Sequence, residues 1–400
     1  MKLIAAAAAL LLSAVHLSAD PIPQYKNSQY EVVPLHSLPG TETEDTANCQ
    51  PRALNNKGEC AGSAGVHARF QAVRWDADGS IHLLSSPSRR LDESEGINDL
   101  DQVIAYATTS QETLAAHLYV VNKAGTARLL VPPAGTEPMG FIGGEAINNA
   151  GQTAFNTQVK GSLPHRALLK DDKTLTDLGH LPLREFEAQF CQVNVHALNS
   201  AGMAVGWSQI SLKDADGLPL LPTHAFLWRK GAMTDLGVLP GYDSFSATAL
   251  NNAGDVIGTM NTQAEDQSEE QFGSSEEHGF LWRNGMMTNL GALPGCRYTE
   301  PTGINDKGQI VGNSYNIVKE EDGGFSLSGG SLNSGVFLWQ DGKMLDLQTL
   351  VPPGWKLQSA VGINNRGDIL CTGSHDGMPS RALGSGAFLL RRLNPALPQK

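Results

Sequence analysis

Thr248-Ala249-Leu250-Asn251-Asn252-Ala253-Gly254-Asp255-Val256-Ile257-Gly258 reads as a strand, a tight turn and a second strand. Gly254 suits the left-handed residue that ends such a turn, and the Asn251 side chain suits its cap. The phrase recurs. Copies with Gly three residues after an Asn begin at Asn55, Asn148, Asn199, Asn251, Asn305 and Asn364. A seventh, at Asn98, has Asp101 in the glycine's place. Successive starts lie 43, 50, 51, 52, 54 and 59 residues apart, and a period of that size marks a repeat architecture.

Outward from Asn251 the repeat completes itself. His278-Gly279-Phe280-Leu281-Trp282 reads as a third strand and Asn284-Gly285 as a hairpin turn. Met287-Thr288-Asn289-Leu290 follows as a fourth strand, ended by Leu293-Pro294-Gly295. Four short strands joined by turns make one antiparallel sheet. Third strands such as Ala225-Phe226-Leu227-Trp228 are apolar on both alternating sets, so both faces of each sheet are covered. Sheets packed face to face in a ring satisfy this. The expected fold is all-β, a seven-bladed β-propeller of four-stranded antiparallel blades. A parallel β-helix is the alternative, but its coils are usually shorter than these repeats.

The chain ends support closure. Tyr30-Glu31-Val32-Val33-Pro34-Leu35 resembles a fourth strand placed before the first repeat, and Ala387-Phe388-Leu389-Leu390 is a third strand with no fourth after it. The N-terminal strand is expected to join the last blade. The propeller then covers residues 30–394, with a lead-in at 20–29 and a tail at 395–400.

Bulk properties narrow the partners. The 400 residues carry 29 Lys+Arg against 41 Asp+Glu, a net charge of −12, which disfavours nucleic acid. Lys2, the apolar run Leu3 to Val15 and Leu17-Ser18-Ala19 before Asp20 read as a signal peptide over residues 1–19. That run is short for a membrane span, so a secreted or periplasmic protein is expected, monomeric and with no transmembrane segment in the mature chain. Cys49, Cys60, Cys191, Cys296 and Cys371 predict one or two disulfides with a thiol left over. Their spacing matches no zinc pattern.

His224-Ala225-Phe226-Leu227-Trp228, Met233-Thr234-Asp235-Leu236-Gly237 and Leu239-Pro240-Gly241, with the Asn-Asn-Ala-Gly turn at 251–254, resemble the HAF repeat. That repeat gives its name to a family of extracellular bacterial repeat proteins. The likeness covers nearly all of the mature chain and is strongest in repeats four to six. It departs where Gln71, Gly335 and Gly386 replace the His, and where Leu100-Asp101 breaks the second turn. The resemblance implies export and a repeat fold, and no particular activity.

The recurring His residues are too far out on their blades for His224 and His278 to share a metal, so a structural role is expected for them. Trp75, Trp228, Trp282 and Trp339 share one third-strand position and are assigned to packing between blades. Trp207 and Trp355 fall outside it, and Trp355, after Pro352-Pro353-Gly354, is expected to be exposed. Asp76-Ala77-Asp78-Gly79 and Asp214-Ala215-Asp216-Gly217 lack the downstream Glu of an EF-hand loop and read as turns. No G-x-S-x-G, H-E-x-x-H, P-loop or dinucleotide motif is present. No catalytic residue, metal site or cofactor is therefore assigned.

Loop asymmetry points to a face. Repeats four to six carry long second-to-third loops at 209–223, 261–277 and 315–334. The inter-blade loops of the same face are read as holding Phe186, Phe190, Tyr242, Asp243, Phe245, Arg297 and Tyr298, together with Cys49, Cys191 and Cys296. Aromatic residues mixed with charges on a rigid scaffold suit binding of a glycan, peptide or protein. That is the principal expectation, a non-enzymatic binding module. The alternatives are a glycoside-active enzyme with paired carboxylates among Glu185, Glu187, Asp243 and Glu300, and a purely structural envelope protein.

Overall fold

The computed structural model of the chain describes residues 28–39, 47–66, 69–87, 89–108, 116–138, 145–159, 165–182, 191–213, 219–220, 222–262, 277–319, 325–327, 334–376 and 386–393. They form a seven-bladed β-propeller. Blades one to six occupy residues 47–83, 93–130, 136–177, 193–235, 244–289 and 298–346. Blade seven holds Trp355–Ile363, Ile369–His375 and Gly386–Arg392, with Tyr30–Pro34 as its outer strand. That strand pairs antiparallel to Gly386–Arg392, with Val32 opposite Leu390, and closes the ring as the chain ends suggested. Every blade is antiparallel. In blade three the inner edge comes in two pieces, Thr136–Pro138 and Ala146–Ile147, both paired to Thr153–Val159.

The core lies between blades. Third-strand Phe226, Phe280, Phe337 and Phe388 are fully buried, because each sheet is covered on both faces. Trp75 and Trp228 are buried at the shared third-strand position, while Trp282 and Trp339 pack partly buried against the interblade clusters. Trp355 corrects an expectation. It begins the inner strand of blade seven and is buried, its ring 4.8 Å from His375 and 4.9 Å from Phe388.

The repeated Asn has a physical reason. Each side-chain oxygen accepts backbone N–H groups of its own turn, as Asn199 does from Ala201 and Met203. Each side-chain nitrogen donates to the backbone carbonyl of the next blade's Asn. The chain of donors runs Asn55 to Asn98, Asn148, Asn199, Asn251, Asn305 and Asn364, and from Asn364 back to Asn55, at 2.9–3.3 Å. All seven are buried. This closed ring ties every blade to its neighbour with groups that would otherwise be unpaired in the interior. A second ring lies one residue on, where the backbone N–H of Asn252 meets Asp306 and that of Asp306 meets Asn365.

The irregular second turn keeps the same shape. Asp101 takes the glycine's place at φ 59°, against 74° for Gly202 and 88° for Gly254. Its carboxylate is held by Lys57 Nζ at 2.6 Å and Lys123 Nζ at 2.7 Å, which offsets the backbone cost.

No disulfide forms. Cys49, Cys60, Cys191 and Cys371 are free buried thiols, which leaves no second cysteine for Cys296 to bond. The expected bridges are thereby corrected: Cys371, Cys191 and Cys296 sit in separate interblade clusters, and Cys49 and Cys60, which share one, stand opposite Ala64 and Leu54 rather than each other. Burial pushes the Cys49 thiol up to about 11 and raises Cys60, Cys191 and Cys371 as well.

Candidate functional site

Counted back from each Asn, the inner strands share a pattern. One residue before it stands Leu or Ile: Leu54, Ile97, Ile147, Leu198, Leu250, Ile304 and Ile363. Two before it stands Ala or Gly, because neighbouring inner strands converge there. A Cβ on Gly303 would lie 2.9 Å from the Gly362 backbone. Three before it the residue changes from blade to blade: Arg52, Glu95, Glu145, His196, Thr248, Thr302 and Val361. In six blades this residue is the extra one of a β-bulge, skipped in the pairing with the second strand. The bulge forces the inner backbone against the second strand, where Gly206 and Gly258 leave room. A Cβ on Gly258 would meet the Ser246 carbonyl oxygen at 2.0 Å. Bulges re-aim side chains, and Arg52, Glu95, Glu145 and His196 line an axial cavity of about 270 Å³ fed by all seven blades.

The seven equivalent positions are used unequally. In blades four to six they brace the ring. His196 Nδ1 donates to the Ala247 carbonyl at 3.0 Å, Thr248 Oγ1 to Pro301 at 3.0 Å and Thr302 Oγ1 to Ala360 at 3.1 Å. Since a carbonyl only accepts, His196 carries its proton on Nδ1 and keeps Nε2 as an acceptor. Burial lowers its pKa and the Ala247 bond partly restores it, so the ring is neutral at physiological pH.

In blades one to three the same position is charged. Arg52 Nε meets Glu93 at 2.7 Å, and Tyr106 Oη donates to the other Glu93 oxygen at 2.8 Å. Burial opposes the Arg52 charge, but Glu93 outweighs it and the pKa rises. Among the described residues Glu95 and Glu145 have no such partner. Glu145 is 3% exposed and neither of its oxygens meets a hydrogen-bond donor among the described residues. Burial, then the charge of Glu95, pushes Glu145 well above the ordinary carboxylate range. For Glu95, burial and the charge of Glu93, opposed by Arg52, raise the pKa to about 7. The channel therefore holds two carboxyls whose charged forms burial disfavours. Among the described residues no group of three or more His, Cys, Asp or Glu is arranged to hold a metal ion.

The residues singled out on the long-loop face are distributed differently. Phe186, Phe190, Glu185 and Glu187 lie outside the described residues. Phe245 and Tyr298 belong to inner strands, Ser244–Leu250 and Tyr298–Ile304, rather than to loops, and both are buried. Phe245 packs on Phe280, and Tyr298 stacks on Tyr315 at 5.5 Å. Cys49 likewise sits within an inner strand, Ala47–Leu54. Tyr242 and Asp243 are half-buried and Arg297 is exposed, its guanidinium 6.0 Å from the Tyr298 ring. Nearby, Tyr315 Oη donates to Glu277 at 3.1 Å, and burial followed by the charge of Glu300 raises Glu277. His224 bonds Asp235 at 2.8 Å across adjacent strands, a structural use. The turn at Asp76 is closed by Gly79 at φ 88°; the segment from Asp214 to Gly217 lies outside the described residues. Two of the long loops contain short hairpins, Leu212–Lys213 with Pro219–Leu220 and Ile317–Lys319 with Phe325–Leu327.

The channel was missed by motif reading, yet the signal is present. Aligning the seven repeats on their Asn sets the changing position, three residues upstream, directly before two positions that hardly change, the Ala or Gly and the Leu or Ile that lead into the Asn.

No protein-family model matches the chain, and no characterised protein matches it in sequence. Solved structures do. The β-propeller domain of the Trilobed protease from Pyrococcus furiosus is 10% identical, with a TM-score of 0.53 over 88% of this chain and all of that one. It is described as having an open velcro topology, whereas here Tyr30–Pro34 zips the ring shut. An acylaminoacyl peptidase from Pyrococcus horikoshii is 11% identical, with a TM-score of 0.45 over 83% of this chain and 50% of that one. The GH74 enzyme of Niastella koreensis is 15% identical, with a TM-score of 0.42 over 91% and 43%. At such identities the likeness concerns the fold alone.

Proposed function

We propose that the protein is an exported, non-catalytic binding propeller that takes a glycan, peptide or protein partner on its long-loop face, with the axial channel, lined near the Asn-turn end of the inner strands, as a further binding surface. One observation carries the reading: the carboxyl of Glu145, buried in the channel with no hydrogen-bond donor among the described residues. Such a group destabilises its own scaffold, so the fold alone gives no reason to keep it there. On the rim, Tyr242, Asp243 and Arg297 offer a ring, an acceptor and a cation. The signal-like residues 1–19 and the HAF resemblance support export.

A thermal-shift screen with oligosaccharides, cell-wall fragments and peptides tests this. A ligand at a hundred times its dissociation constant adds about 2.7 kcal/mol. Tyr242→Ala and Arg297→Ala should each weaken the ligand found, and unchanged affinity in both removes the rim from the site.

Glu95 and Glu145 also favour a second reading, glycoside hydrolysis, since a carboxyl near 7 suits a general acid. Turnover of any oligosaccharide that survives Glu95→Gln would dismiss it.

A further inference from the structure

We propose that the channel beside Glu95 and Glu145 binds an alkylammonium group, a primary amine on an aliphatic stem, carried by a free diamine or by a lysine side chain. This rests on the binding reading above and names the chemistry of the channel.

Charge comes first. Both Glu145 oxygens are buried and without donors among the described residues, and Glu95 shares the cavity with them. Among the described residues the one cation lining the cavity, Arg52, is engaged by Glu93 at 2.7 Å. An ionised pair of carboxyls in this enclosure is left uncompensated until a cation arrives. An anionic ligand is excluded by the same charges.

Shape and lining select the kind of cation. The cavity of about 270 Å³ is several times the roughly 30 Å³ share of one water. A bare metal ion would lack its ligand set, as the described residues contain no group of three donors arranged for one. The remaining lining is small or aliphatic, with Leu54, Ile97, Ile147, Leu198, Ile304 and Ile363 around it. These side chains give methylenes a limited apolar contact within a lining whose exposed surface is mainly polar. An ammonium brings three N–H donors and no acceptor, which complements carboxylate oxygens and an unprotonated His196 Nε2. The charged and titratable groups facing the pair are Glu93, Arg52, Tyr106 and His196.

The test is calorimetric titration of the full mature chain at about pH 8, above the value of about 7 to which burial raises Glu95. The probes are 1,4-diaminobutane, Nα-acetyl-lysine amide, 1-butanol and calcium chloride. Saturable binding of at least one amine and none of the alcohol is expected. Glu145→Gln and Glu95→Gln should each weaken the amine about tenfold or more, the worth of a charge-assisted hydrogen bond. Both variants should keep the wild-type circular dichroism and melt no lower. Diamine binding alone points to a free amine as the source, and lysine amide binding alone to a protein side chain. Absence of amine binding at millimolar concentration overturns the proposal, as does calcium binding in its place or equal amine affinity in both variants. If amines fail while an oligosaccharide or peptide still binds in a manner sensitive to Tyr242→Ala, the channel chemistry is wrong and the binding reading stands.

Discussion

Replacing Glu95 by Gln should stabilise the propeller above neutral pH and change little in acid. The reasoning is one of linkage. The Glu95 carboxyl moves from an ordinary 4.5 to about 7 on folding, chiefly because burial disfavours its charge. Between those two values the folded chain holds a proton that the unfolded chain has released. Stability therefore falls as pH rises through this window, the opposite of a salt-bridged carboxylate. Once the folded carboxyl is ionised, above about pH 7, the accumulated loss is about 3 kcal/mol. Gln resembles the protonated acid in size and carries no charge at any pH, so the variant escapes the loss. Urea unfolding of both proteins at steps from about pH 4.5 to 8 should show the variant's advantage grow from near zero to about 3 kcal/mol. For a ring of this size that corresponds to roughly 4 °C in melting temperature. A constant difference across the range would refute the reasoning, because it would mean that Glu95 keeps an ordinary pKa in the folded state. Glu145, raised by burial and by Glu95, should behave in the same sense when changed to Gln.

Asn199→Ala removes two turn bonds and the bond to Asn251, and should cost about 3 kcal/mol in denaturant unfolding; Asn199→Asp, which keeps the acceptor but loses the donor to the next blade, should be no better. A loss below 0.5 kcal/mol, on the scale of a neutral surface change, would count against the ring as a stability element. Deleting residues up to Pro34 strips Tyr30, Val32 and Val33 from the last blade and exposes the edge of Gly386–Arg392. Most of the ring's stability should go with it, about 5 kcal/mol or more, seen as loss of a cooperative melt. Thiol titration should count five cysteines after unfolding and no fast reaction from Cys49, Cys60, Cys191 or Cys371 in the native state, since burial holds those thiols protonated. Fewer than five after unfolding would reveal a bridge.

Much of the fold is legible because its causes are local. Asn251 to Gly254 carries its own turn chemistry, Ala225 to Trp228 declares a strand covered on both faces, and Tyr30 to Leu35 is a spare fourth strand that the last repeat lacks. The candidate site is legible only in part. Phe245 and Tyr298 look like ligand-facing aromatics in a list of loop residues, but Phe245 is the second residue of Ser244–Leu250 and Tyr298 the first of Tyr298–Ile304, and pairing makes them inner-strand core. Trp355 misleads for the same reason: Pro352-Pro353-Gly354 marks a loop, and the strand begins one residue later. The five cysteines invite pairing by count, whereas pairing needs matched positions, and even Cys49 and Cys60, which share a cluster, stand opposite Ala64 and Leu54 instead.

By itself, the sequence determined the repeat, the number of blades and the closing strand, because turns and strand periodicity are written in windows of about ten residues. Only the tertiary structure decided what the changing position before each Asn does. Arg52, Glu95, Glu145 and His196 belong to four different repeats and come together only when the ring closes. Whether each is spent on a neighbouring carbonyl or left facing the channel depends on a β-bulge and on the next blade's backbone. Those are long-range contacts, and no single repeat records them.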